Sequence, residues 1–121
     1  MKIKLMYVKD RGDLERERIV MRATSKVDVG QYALIEAGFE EDSVNVETGS
    51  CYWFSDQVIE KNDWVVLYTK SGENKEKLQK SGATAYFYYW DKKKPKWNTS
   101  SKVPVVLEVD SWDFIAPEKN T

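Results

Sequence analysis

Trp64-Val65-Val66-Leu67-Tyr68-Thr69 decides how the rest of the chain is read. Its unbroken Val-Val-Leu centre leaves no polar face, which predicts a strand buried on both sides at the middle of a sheet. Lys61-Asn62-Asp63 before it has the chemistry of a turn. Working outward, the dominant hydrophobic period is two. Residues 84–90 form a second strong strand, with Tyr86, Tyr88 and Trp90 on one face and Phe87 and Tyr89 on the other. Residues 18–24 alternate Ile19, Met21 and Ala23 with Arg18, Val20, Arg22 and Thr24. Residues 1–8 set Lys2 and Lys4 against Ile3, Leu5 and Tyr7. Residues 31–37 place Tyr32, Leu34 and Glu36 opposite Ala33, Ile35 and Ala37, after a turn at Asp28-Val29-Gly30.

Shorter elements complete the pattern. Residues 51–54 and 58–59 read as short strands, and residues 103–109 as the last one, with Pro104 near its start where a missing donor is tolerated. Residues 39–50 hold Glu40, Glu41, Asp42 and Glu47, and part of this stretch is expected to pair as an edge strand. Residues 73–80 offer Glu73/Lys77 and Glu76/Lys80 at helical spacing, so two helical turns and a long loop are both admissible. Residues 10–18 are polar and contain Gly12, which predicts a loop or turn. The expectation is an all-β chain of seven or eight short strands, an antiparallel β-sandwich forming one domain over residues 1–116 with a disordered tail at 117–121.

Composition excludes several chemistries. The 121 residues carry 19 Lys+Arg and 20 Asp+Glu, a net charge of -1, so a generic attraction to polyanions is not expected. There is no histidine, which removes Ser-His and Cys-His nucleophile pairs, histidine zinc sites and a histidine base. The single Cys51 cannot form an intrachain disulfide, and it is expected to be a small buried hydrophobe on its strand. No apolar run approaches the ~20 residues of a spanning helix, and no leader pattern is present, so a cytoplasmic location and no membrane partner are expected. No cofactor motif occurs, neither a glycine-rich phosphate loop nor G-x-S-x-G. The acids at positions 40–42 and 47 lack the spacing of a calcium loop.

The central block, Tyr52-Trp53-Phe54-Ser55-Asp56, Val58-Ile59 and residues 61–68, resembles the core of lamin tail domains. Trp97-Asn98 followed by residues 103–109 is similar to that family's closing segment, and Tyr32-Ala33-Leu34-Ile35 to one of its strands. Ser55 and Asn62 stand where the family commonly has proline and glycine. The resemblance implies an immunoglobulin-like sandwich of a stand-alone bacterial type that serves as an interaction module. Fold likeness does not by itself assign a biochemical role.

The candidate site is Tyr89, Trp90, Lys92, Lys93, Lys94, Lys96 and Trp97, a lysine loop between two tryptophans. Sixteen aromatics are more than one thin core easily hides, and exposed Trp and Tyr anchor interfaces. The reading is a non-catalytic protein-interaction domain, with aromatic area supplying affinity and lysines selecting an acidic partner. Single-stranded nucleic acid or carbohydrate on the same aromatic face is the alternative. A carboxylate-based enzyme is a third reading, and a homodimer an admissible assembly. The tryptophan patch requires that Trp90 and Trp97 be exposed.

Overall fold

A computed structural model describes residues 1–118. Ten strands are present: β1 (Ile3–Lys9), β2 (Arg18–Ala23), β3 (Val27–Asp28), β4 (Tyr32–Glu40), β5 (Ser43–Trp53), β6 (Val58–Ile59), β7 (Trp64–Tyr68), β8 (Lys75–Leu78), β9 (Thr84–Tyr89) and β10 (Lys102–Glu108). They form a five-stranded sheet in the order β1-β2-β7-β9-β8, a three-stranded sheet β10-β4-β5 and a small β3-β6 pair. The all-β sandwich expected from the sequence is therefore present, with three more small or exposed strands than a minimal count of seven.

β7 lies third of five, with Val65 and Leu67 buried at 0% and 1% exposure. These residues meet Ile19 and Met21 from β2, Tyr88 from β9, and Tyr32 and Leu34 from β4 across the sandwich. Tyr32 also ties three elements together. Its buried hydroxyl donates to Glu108 Oε2 on β10 (2.9 Å) and accepts from the Lys2 N–H (3.2 Å) ahead of β1. Burial, and after it the Glu108 carboxylate, pushes the Tyr32 phenol above its ordinary value.

Four sequence expectations need correction. The sandwich is not wholly antiparallel, because β7 and β9 run parallel. After β7 the chain crosses to the sheet edge, forms β8, turns at residues 79–83 and returns as β9 between β7 and β8. The turn is closed by the Ala83 carbonyl accepting from the Gln79 N–H and by Gly82 at φ +92. Residues 75–78 are thus a strand and neither a helix nor a loop: four residues without an apolar stripe gain more from pairing with β9 than from one helical turn. Cys51 is exposed, because its side of β5 faces away from the core. Tyr7 leaves the Ile3/Leu5 face, since a register shift between Leu5 and Tyr7 turns Tyr7 outward and Val8 inward.

The stretch at 39–50 does pair. β4 continues to Glu40, Glu41 and Asp42 both take positive φ (52 and 59) as the two residues of a hairpin turn, and β5 follows as an edge strand. Pro117 and Glu118 are exposed and outside any strand, while the remainder of the expected disordered tail lies outside the described residues.

Glu17, just before β2, is a buried carboxylate with 0% exposure. Its Oε1 accepts from the Gly12 N–H (3.0 Å) and the Trp97 N–H (3.1 Å). Its Oε2 accepts from the Lys96 N–H (2.8 Å) and the Thr69 hydroxyl (2.5 Å). Burial alone would raise this carboxyl, but the Gly12, Lys96, Thr69 and Trp97 donors together hold it below its ordinary 4.5. Gly12 can present its N–H here because it sits at φ +88, a conformation glycine adopts without strain. A folded value below the unfolded one adds stability at pH above the ordinary carboxylate range and loses it as pH falls through the folded value. Glu17→Ala, which leaves the donors buried, should cost about 3 kcal/mol or more in urea unfolding at pH 7. Glu17→Gln should flatten the loss of stability between pH 5 and the acid transition.

Candidate functional site

Trp90 and Trp97 are both buried, at 7% and 1% exposure. Their rings lie 6.1 Å apart within the core, so the expected tryptophan patch does not exist, and that site is corrected here. Trp90 points inward because β9 alternates and Tyr88 and Trp90 share its core side. Trp97 is drawn in because Glu17 holds the N–H groups of Lys96 and Trp97. Lys96 is held too: its Nζ lies 3.2 Å from Glu36 Oε2, 3.1 Å from Ser50 Oγ and 4.9 Å from the Trp90 ring centre. Lys92 is half-buried, and Lys93 and Lys94 are exposed with Glu36 beside them. Of the expected site residues only Tyr89, itself half-buried, belongs to an aromatic surface outside the core, on the other side of β9.

That surface is the outer face of the five-stranded sheet. Strand register arranges it in three cross-strand rows. The first is Lys9, Arg18, Tyr68 and Tyr89; the second Tyr7, Val20, Val66, Phe87 and Lys75; the third Lys4, Arg22, Trp64, Ala85 and Lys77. Every charged position in the rows is a cation. Val20 and Val66 are covered by flanking side chains, at 6% and 7% exposure, while Tyr7 is 52% exposed. Tyr68 and Tyr89 are stacked, with ring centres 5.3 Å apart and planes 12° apart. The Tyr89 ring lies against the Gly72 backbone so closely that a Cβ at Gly72 would meet it at 2.5 Å.

The cations rest on the rings. The Arg22 guanidinium carbon lies 5.0 Å from the Trp64 ring centre and that of Arg18 5.7 Å from Tyr68. Lys70 Nζ is 5.2 Å from Tyr68 and Lys75 Nζ 5.9 Å from Phe87. Such pairs orient aromatic faces and hold positive charge beside them. Arg22 Nε is buried and has no hydrogen-bond partner among the described residues. At one corner of this face Asp10 pairs with Arg18 at 3.0 Å and Glu15 with Lys70 at 3.6 Å, and elsewhere Glu76 borders Lys75 and Lys77 while Glu60 and Asp63 stand beside Arg22 and Trp64. Tyr68, Phe87, Tyr89, Lys70, Lys75, Glu76 and Lys77 line a hollow between β7, β9 and β8, so three lysines and one acid surround its rings.

Sequence reasoning missed most of these residues. Arg18 and Arg22 on one side of β2, and Phe87 and Tyr89 on one side of β9, were legible as alternation. The arginines meet Tyr68 and Trp64 through the β2-β7 pairing and Tyr89 meets Tyr68 through the parallel β7-β9 pairing, neither of which the sequence shows, and Lys75 and Lys77 join only because residues 75–78 are a strand. Glu40, Glu41 and Asp42 cluster at the β4-β5 turn, and among the described residues no group of three or more acids or thiols is placed to hold a metal ion. Among those residues no helix is long and apolar enough to cross a membrane.

Lys96→Met should destabilise the protein by about 2 kcal/mol, since Glu36 then stays partly buried without its partner. Glu36→Leu combined with Lys96→Met should recover most of that loss in urea unfolding, which distinguishes a paired burial from simple packing.

No family model matches the chain, and no curated protein or solved structure is significantly similar to it.

Proposed function

We propose that the protein is a non-catalytic binding module for single-stranded nucleic acid, held on the outer face of the β1-β2-β7-β9-β8 sheet. One observation carries this reading: an outer sheet face whose half-buried rings, Trp64, Tyr68, Phe87 and Tyr89, are interleaved with cations and carry no acid in their rows. Single-stranded nucleic acid presents flat π-faces and regularly spaced phosphates, and such a face offers a partner to each. Bases stack on the rings while Lys4, Lys9, Arg22, Lys75 and Lys77 meet the backbone. The net charge of -1 does not oppose this, because local potential near a surface follows the nearest charges, and every charged position in the cross-strand rows of this face is a cation.

A neutral sugar would also stack on tyrosine or tryptophan, but it gains nothing from a field of lysines. An acidic protein segment shares the charge preference and lacks a planar group at each step. An immunoglobulin-like subtype and a lamin tail relationship remain proposals on the residues that resemble that family. The binding reading does not depend on either.

The test is fluorescence anisotropy with a labelled single-stranded oligonucleotide, against a duplex of the same sequence and an acidic polypeptide as competitor. Single-strand affinity should fall linearly with salt on a log-log plot. Tyr89→Ala should weaken it about 5- to 150-fold, the range for one lost stacking partner. Lys75→Gln with Lys77→Gln should reduce the salt slope by about 1.4, the value for two phosphate contacts on a single strand. No single-strand binding at low salt, or binding indifferent to Tyr89→Ala, overturns the proposal.

A further inference from the structure

The other outer face of the sandwich differs sharply. On β10-β4-β5 the outward positions form the rows Leu107-Ala33-Trp53, Val105-Ile35-Cys51 and Val103-Ala37-Thr48. None is charged. Leu107 and Trp53 are 41% and 47% exposed, and Cys51 is open to solvent. Beyond β10, Trp112 returns to stand edge-on against Trp53, with ring centres 5.2 Å apart. Phe114 and Ile115 follow it with 71% and 97% exposure.

We propose that this face is the interface of a symmetric dimer, in which two copies pack their three-stranded sheets together and each segment of residues 112–115 laps over its partner. Three observations select a second copy as the occupant. A face without charge meets its own copy without like-charge repulsion, as a two-fold interface requires. The neighbouring strand edges are unsuited to pairing, because Pro104 removes a donor on β10 and the pairing of β5 shifts register twice. The area is also of the right size. Three strands about 4.8 Å apart and about 24 Å long give roughly 350 Å² of flat face, below the ~800 Å² per partner of a stable interface. The exposed parts of Trp112, Phe114 and Ile115 add about 400 Å², which brings each copy close to that requirement. Sheets packed this way sit about 10 Å apart with interleaved side chains.

The proposal is tested on nuclease-treated protein, so that it stands or falls apart from nucleic-acid binding. Light scattering and sedimentation should show twice the monomer mass at high micromolar concentration, dissociating on dilution. Cys51 sits in the middle row, so its reaction rate with a soluble disulfide reagent should fall as the dimer fills. Val105→Lys should give a monomer with an unchanged far-UV spectrum and a Cys51 rate independent of concentration. If Val105→Lys fails to fold, Trp112→Ser with Phe114→Ser, outside both sheets, must shift dissociation to higher concentration. A monomer at all concentrations with a constant Cys51 rate overturns the proposal. So does a dimer that survives a folded Val105→Lys, or one that is indifferent to the paired serine substitutions.

Discussion

The Glu17 carboxylate ties two loops, at Gly12 and at Lys96-Trp97, to the end of the central strand. Its four donors come from the loop before β2, the end of β7 and the loop between β9 and β10. An ionised group with no solvent contact is costly unless its lone pairs are filled, and here both oxygens accept twice. The consequence spreads outward. Fixing the Lys96 and Trp97 N–H groups places the Trp97 indole in the core against Trp90, and lets Lys96 reach across to Glu36 and Ser50 on the other sheet. A second tie runs from Arg11 to the Trp97 carbonyl at 3.1 Å. The lysine loop is thus pinned at one end, and its tryptophans are structural.

The second determinant is the route of the chain after β7. Inserting β9 beside β7 in parallel sets Tyr68 against Tyr89 and Val66 against Phe87 in register. Adjacent rows of a parallel pair keep equivalent residues side by side, so two strands of similar alternation produce one continuous aromatic strip. β8 then adds its lysines along the outside of that strip. An antiparallel β9 over the same span would have kept these side chains outward but set Tyr89 opposite Trp64 and Ala85 opposite Tyr68. Topology therefore sets the Tyr68–Tyr89 stack, while alternation supplies the rings and cations of the face.

The sequence was informative where the period of two was strong. The two faces of β2, β4 and β9 and the central place of β7 follow from alternation and from the Val-Val-Leu run, and the structure bears them out. It was silent where partners are distant. Glu17 looks the same as its neighbour Glu15 in the sequence; only the fold makes one a core anchor and the other a surface ion pair with Lys70. The candidate site failed for a related reason. Trp90 and Trp97 sit beside four lysines in the sequence, but proximity along the chain does not report which side of a strand faces the core. Tyr89, one residue from Trp90, points the opposite way and lies on the surface the reading was looking for.

The two outer faces have opposite characters, and this constrains how they can act together. The core lies between the sheets, so a dimer formed through β10-β4-β5 directs its two cationic faces outward on opposite sides. Resting on both proposals, such a dimer gains nothing on a short strand, which occupies one face and never reaches the other. Linked ligands gain affinity only where geometry allows both sites to be engaged at once. Two separate strands, or distant parts of one long strand, meet that condition. Back-to-back faces therefore suit a protein that holds strands together more than one that coats a single strand, and the uncharged face is what imposes that arrangement.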